Sequence, residues 1–436
     1  MSVINVKFRT PTDKFHFIIN VTDGDSKTYN YDGIELEPFE YGNDEDLETI
    51  IYPESVTIKF SLLPDTGSIA ALDNRYVQLG RSLRLNETNV TINKNGQEHL
   101  LGFIDGKTVS STYKNKVFQI TVLSNFHKLK DIDPRTLDPN DFTTPVDVVV
   151  GPGGQVLFVD LVLKLIQLVY PSVNQVILVS NIKSQTSYTI LGEPWIANAQ
   201  YFGDFSNNYI GSISTFTTAA QIIKEVCANF ASVGILKDRK FYIQSRFYQS
   251  QSAVVLSKEL LADDAGPEPI DSTRFDGLQV IVTPAGTSAV YEELYGEVIK
   301  DENGNVKNSD NVETIQLIQQ GGYPPGNEGF PLLIRNLWIY VPGFVSGIGN
   351  TQFTSSLPNS FFIITGEAQK PLWKCVADAV WALIQKDRVV FGITMSALSW
   401  TYDTWYVFEN TSVYLRARKM FYDEMKTRTR MELIDG

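Results

Sequence analysis

The chain has 436 residues, of which 43% are hydrophobic and 20% charged. That balance excludes a disordered or collagen-like polymer, and the length predicts more than one domain, because single cores rarely grow beyond about 250–300 residues. A formal net charge of −13 repels phosphate over most of the surface, which argues against classical nucleic-acid binding but admits DNA as cargo sliding past a wall that does not grip it.

Aromatic residues make up 12% of the chain and, with many Val, Ile and Thr, they favour strands. The first eight residues hold no basic region followed by an apolar core, so no secretion signal is expected. The most apolar windows, 156–170 and 372–384, carry Asp160, Lys164, Lys374 and Asp378 and fall short of the about 20 apolar residues of a membrane span, so no stable membrane insertion is predicted. Cys227 and Cys375 each sit in an amphipathic pattern where a small buried hydrophobe fits, which leaves no disulfide framework.

In chain order, residues 3–125 read as strands between polar turns. Residues 15–21 are strand-like and residues 22–25 form a turn cluster; residues 55–62 alternate with period two, placing Val56, Ile58, Phe60 and Leu62 on one face. Asn95-Gly96 supplies the positive φ angles of a tight hairpin between strands near 90–93 and 99–104. Residues 117–123 complete a pattern of short strands at regular spacing, the signature of a sandwich or barrel.

From Lys130 to Pro145 the composition turns to Asp, Pro, Asn and Thr, followed by Gly151-Pro152-Gly153-Gly154, which predicts a domain boundary. Residues 156–170 carry Leu157, Leu161, Leu165 and Val169 at helical spacing and stop at Pro171. Residues 217–230 predict a second helix, with hydroxyl residues at its start, and a hairpin follows it with its turn at residues 237–240. Beyond the acidic stretch 263–269, strands are expected at 277–283 and 291–299, a hairpin turn at 301–305, and a Gly- and Pro-rich surface loop at 321–329. Helices are expected at 372–384 and 413–426, and a closing strand at 427–434.

No constellation carries chemistry. His16, His99 and His127 are far apart and none has metal-ligand spacing. Nucleophile elbow, phosphate loop and dinucleotide fingerprint are all absent. Asp263/Asp264 and Glu292/Glu293 are adjacent carboxylates of the kind any acidic chain contains, and a glycosidase pair is defined by separation in space. Residues 301–305 lack the terminal Glu of a calcium loop and read better as a turn. No catalytic residue, cofactor or metal is predicted.

Three stretches resemble a known family. Residues 100–106 leading to 118–124 are similar to paired strands in the first barrel of the baseplate hub and tail-tip proteins of tailed bacteriophages. Residues 217–244 are similar to that family's helix ending in a hairpin, and 414–419 with 428–433 to the helix and strand that close its last barrel. The resemblance implies a mainly β fold with α+β inserts: two tube-like antiparallel β-barrel or sandwich domains plus smaller helix-containing domains. The expected division is an N-terminal barrel at 1–130, a helix-plus-hairpin insert at 131–275, and a second barrel-like region at 276–436.

It also implies a structural role in the virion tail, assembled in the host cytoplasm, as a trimer or other ring joining the tail tube and distal tail to tip or fibre proteins around the DNA exit path. The longer tail-associated lysins carry a further C-terminal domain that this chain lacks, so a plain adaptor without enzymatic activity is expected. Arg416, Arg418 and Lys419, in a basic segment of an acidic chain, are candidates for docking a neighbouring subunit or ring, as are Trp400 and Trp405 in the aromatic stretch 399–408. A solvated helix face explains the basic residues equally well. The alternative function is receptor or carbohydrate binding by exposed aromatics near residues 400–406 or by the 321–329 loop.

Overall fold

A computed structural model describes residues 1–133 apart from 23–25, 43–49, 52, 64–67 and 86–87. Of the rest it describes 156–179, 182–184, 200–201, 218–229, 232–245, 253–262, 268–273, 275–283, 291–319, 329–334, 337–342, 362–364, parts of 377–385, 388–396 and 404–435. The fold is mainly β with few helices.

The N-terminal region contains ten strands: β1 (Ser2–Arg9), β2 (Lys14–Val21), β3 (Thr28–Leu36), β4 (Phe39–Gly42), β5 (Ile50–Ile51), β6 (Pro53–Ser61), β7 (Thr88–Lys94), β8 (Gln97–Ile104), β9 (Ser110–Thr112) and β10 (Val117–Ser124). Seven of them, in the order β6-β3-β1-β2-β7-β8-β10, close into a barrel because β10 returns to pair with β6 along its length, from Val117 opposite Ser61 to Leu123 opposite Ser55. Period-two alternation turns Ile4, Val6, Phe17, Ile19, Ile58, Phe60, Ile92, Phe118 and Ile120 inward, and all are fully buried. The barrel is therefore filled by side chains and is no pore. Asn95 (φ 52°) and Gly96 (φ 83°) make the predicted tight turn between β7 and β8.

Helix α1 (Ile69–Leu85) joins β6 to β7 and was not expected from the sequence. Ser68 Oγ accepts a hydrogen bond from the Ala71 amide at its start. Leu72, Leu79 and Leu83 form its buried stripe, Gly80 lies against the Phe118 ring, and the Arg75 guanidinium stacks 3.7 Å from the centre of the Tyr29 ring. Through Tyr29, Phe118 and the Ser82 bond to the Thr22 carbonyl, the helix covers one end of the barrel.

The middle of the chain contributes β11 (Val156–Leu157), helix α2 (Phe158–Gln167), β12 (Gln175–Val179), β13 (Ile182–Ser184), β14 (Gln200–Tyr201), helix α3 (Ala219–Asn229), β15 (Ser232–Lys237) and β16 (Lys240–Ser245). Both expected helices and the hairpin after the second are present. β12, β16 and β15 form a small sheet that β5 extends by parallel pairing with β15. Beyond α2 the Tyr170 hydroxyl donates to the Leu101 carbonyl (2.8 Å) and accepts from Ser124 Oγ (2.7 Å), which fastens this insert to the barrel.

The remaining strands are β17 (Val254–Leu256), β18 (Glu268–Thr273), β19 (Gly277–Thr283), β20 (Tyr291–Gly296), β21 (Val312–Gln319), β22 (Gly329–Ile334), β23 (Leu337–Pro342), β24 (Phe362–Ile364), β25 (Arg388–Met395), β26 (Trp405–Phe408), β27 (Tyr414–Asp423) and β28 (Arg428–Asp435). Strands β19 to β23 join β14 and β11 in a seven-stranded sheet, and β13 pairs with β24. Strands β18, β25, β28, β27, β26 and β17 form a C-terminal sheet over a core that includes Met395, Tyr406, Leu415, Met420 and Leu433. Among the described residues this sheet does not close on itself as the first barrel does. β17 and β18 pair with β26 and β25, so both strands belong to this sheet.

Residues 414–423 are a strand and not the helix expected at 413–426. β27 pairs with β28 on one side and with β26 and then β4 on the other. Around the expected 372–384 helix, the described residues within 377–384 are helical, with Ala377, Val380 and Ile384 buried.

Candidate functional site: the barrel wall and its junction

The β4–β27 pairing, from Gly42 opposite Lys419 to Phe39 opposite Tyr422, joins the barrel and the C-terminal sheet through main-chain hydrogen bonds. Tyr41 packs edge-on against Tyr422 at 5.1 Å. Lys419 Nζ, buried, lies 2.7 Å from Glu40 Oε1. Next to it, Lys94 at the end of β7 reaches Glu424 in the β27–β28 turn (2.8 Å) and Asp13 in the β1–β2 turn (3.1 Å). Burial raises the pKa of Glu424 in spite of its bond to Lys94. Burial opposes the charge of Lys94, but Glu424 and Asp13 together raise its pKa. Beside this network His99 is enclosed by Phe15 and Phe39 and hydrogen-bonded to the Tyr41 hydroxyl at 3.0 Å. Burial and the Lys94 charge push its pKa down to about 4, so it is neutral at pH 7.

The candidate docking residues sit at the same junction. Arg416 is only 5% exposed and its guanidinium lies 4.2 Å from the centre of the Trp405 ring. Arg418 is half-buried within 3.8 Å of Glu432, and Lys419 is engaged by Glu40. These groups are occupied inside the subunit. Trp405 is buried and so presents no open stacking face, while Trp400 and residues 321–328 of the expected loop lie outside the described residues, and Gly329 begins β22. Asp263 and Asp264 lie outside them as well. Glu292 is bonded to Lys300 and Gln279, which lowers its pKa and marks a surface ion pair rather than an acid–base dyad. Asp301 accepts the amides of Asn303 and Asn305 at 2.8 Å in the expected hairpin turn. Among the described residues no group of three or more His, Cys, Asp or Glu side chains comes together as a metal site, and no helix is long and apolar enough to cross a membrane.

One surface feature comes from residues that sequence spacing does not connect. On the outside of the barrel the β1–β2 register sets Lys7 opposite His16 and Arg9 opposite Lys14, and β7 sets Asn93 opposite His16. With Phe8, Phe15, Asn95 and Gly96 they line a shallow groove of about 440 Å³. His16 Nε2 donates to Asn5 Oδ1 (2.9 Å), whose amide donates to Asn30 Oδ1 (3.0 Å). Burial and the neighbouring Lys7 lower the His16 pKa.

No protein-family model matches this sequence, and no curated protein matches it. Among solved structures, the chain has a low overall similarity to several that are named as tail or baseplate proteins. It resembles the tail protein from Neisseria meningitidis MC58 at 10% identity, with 96% of each chain covered and a TM-score of 0.43. The 43 kDa tail protein of prophage MuSo2 from Shewanella oneidensis is 8% identical, with 97% of this chain and 98% of that chain covered and a TM-score of 0.43. A chain of the p2 virion baseplate in its activated conformation is 8% identical, covering 98% of this chain and 91% of that one, with a TM-score of 0.24.

Proposed function

We infer that the chain is a structural subunit of a bacteriophage-type tail tip or baseplate, and that copies of it close into a ring joining the tail tube to the tip around the path of the DNA. The observation that carries this reading is the joining of a closed, filled barrel to a second sheet by strand pairing. Such a unit is stiff, because moving one body against the other breaks main-chain hydrogen bonds and the buried Lys94–Glu424 pair together. Stiffness of this kind suits a load-bearing ring segment better than an enzyme that opens and closes on a substrate. Since the barrel core is packed, any passage for DNA has to run between copies, and a cyclic assembly is the simplest arrangement that provides one. The resemblance of residues 100–106 with 118–124, and of residues 217–244, to hub proteins lends the same support, whereas residues 414–423, a strand and not a helix, lend none.

The test is the molar mass of the purified chain by light scattering over a concentration series, with negative-stain images of the peak. A trimer or larger ring with a central hole is expected. A chain that stays monomeric at every concentration, alone and with tail-tube protein, overturns the reading. If that monomer also binds a glycan array, the receptor-binding alternative takes its place.

A further inference from the structure

We propose that the groove on the outer face of β1, β2 and β7 is a contact surface for the phosphate backbone of duplex DNA, with Lys7, Arg9 and Lys14 as the contacting cations. Lys7 and Arg9 point the same way on one strand, about 7 Å apart, and each faces a residue of β2 about 5 Å away, so His16 and Lys14 complete a compact quadrilateral. All three cations are exposed, and among the described residues none of them forms an ion pair. Asp32 on β3, opposite Lys7, is the acidic neighbour in register. Asp13, in the adjoining turn, is held by Lys94 and Asn95. Three exposed cations outside any ion pair, against two nearby carboxylates, make a local excess of positive charge in a chain of net charge −13.

The lining chemistry distinguishes between partners. A protein interface draws on aromatic and aliphatic anchors at its centre. The solvent-facing lining here is Lys, Arg, His and Asn, with Phe8 and Phe15 buried beneath it. These are the side chains that bond phosphate oxygens, and they do so without reading sequence. Three weak, sequence-blind contacts suit a polymer that must slide and not be held. The proposal rests on the DNA-conducting role above for its choice of polyanion, whereas the groove is complete in the single chain and can be tested without a ring.

The experiment is fluorescence anisotropy of a short labelled duplex titrated with the intact chain at several salt concentrations. The comparison variants are Lys7→Gln/Arg9→Gln/Lys14→Gln and the charge-matched control Lys107→Gln/Lys114→Gln/Lys258→Gln. Three phosphate contacts predict a log–log salt slope of about −2.7, equivalent to about a 40-fold loss of affinity between 50 and 200 mM salt. The groove variant is expected to lose binding and the control to keep it. Absence of binding at low salt, equal loss in both variants, or equal competition by poly-glutamate overturns the proposal, the last outcome marking a site for acidic protein. The molar-mass measurement is separate, so a ring that forms without DNA binding refutes this inference and leaves the ring reading standing.

Discussion

Lys94 is the side chain on which the union of barrel and C-terminal sheet should depend most. Replacing it with Met leaves the Glu424 carboxylate, only 4% exposed, and its neighbour Asp13 without their shared cation. Breaking a buried pair by removing one partner costs about 3–5 kcal/mol. The Lys94 side chain is itself 29% exposed, so solvent screens part of the pair and the expected loss is about 2–3 kcal/mol. Glu424→Leu should cost less, because Lys94 keeps Asp13. The double variant should be more stable than the sum of the two losses predicts, with a coupling energy of about 1–3 kcal/mol. Urea denaturation can measure this with two probes. All six tryptophans lie beyond residue 190, so their fluorescence follows that side of the molecule, whereas far-UV circular dichroism follows both. The two transitions should coincide in the parent chain and separate in Lys94→Met. Strictly additive losses, or a Lys94→Met loss under about 0.5 kcal/mol, would refute the argument that this pair joins the two bodies.

Gly42, at φ +87°, pairs with Lys419 and leaves room for a Cβ only 2.4 Å from the Arg418 carbonyl oxygen. Gly42→Ala should therefore cost more than the about 1–2 kcal/mol of the left-handed backbone alone, and a melting temperature equal to the parent's counts against it. His99 has its folded pKa depressed to about 4 from 6.5, so its stabilising effect is complete above pH 6.5 and is lost as pH falls towards 4. The slope it contributes is at most about 1.4 kcal/mol per pH unit. Denaturation of His99→Gln over that window should show a shallower acid loss than the parent, and parallel curves would exclude His99 as the source. Arg416→Glu places a carboxylate in a buried site against Trp405 and should destabilise the isolated subunit by more than about 2 kcal/mol. Arg430→Glu, whose side chain is 59% exposed, should stay within about 0.5 kcal/mol. Equal effects of the two in thermal denaturation would mean that Arg416 is not part of the subunit's interior.

The barrel strands were legible because one face of each is buried and the other wet, so period two survives in the sequence, as at Val56, Ile58 and Phe60. Two elements were hidden for opposite reasons. In α1 the stripe of Leu72, Leu79 and Leu83 is interrupted by Arg75 and Gly80, residues that look out of place in a helix until Tyr29 and Phe118 are seen to receive them. In β27 the bulge between Ala417 and Lys419 shifts the alternation by one residue. Leu415 and Ala417 are buried before it and Met420 after it, a spacing that imitates a helical face and is reinforced by helix-favouring Arg, Lys, Ala and Leu. The groove was invisible for a third reason. Arg9 and Lys14 become neighbours only through the hairpin register, and an overall charge of −13 directs attention away from any local excess of cations.

The filled barrel and the groove lead to one geometrical consequence for assembly. A seven-stranded barrel packed with Phe15, Phe17, Phe60 and Phe118 conducts nothing through its own axis, so in the proposed ring the wall facing DNA would be an outer surface of the strands. The β1–β2–β7 face and the opposite face, around β6 and β10, are the two broad outer surfaces. The second carries Thr57 hydrogen-bonded to Thr121 with Gln119 and Lys59 in register, and it lacks a cluster of unpaired cations, since Lys59 is paired with Glu35. If the first face turns inward, a ring of several copies presents repeated small sets of cations on an otherwise acidic body. Each set is weak enough to release phosphate at physiological salt, and together they keep the duplex centred. Inversion of these three charges to Glu should then leave ring mass unchanged, while the parent ring alone retards duplex DNA at low salt. Retardation of both rings alike would place the cations on the outside and assign the lumen to the other face.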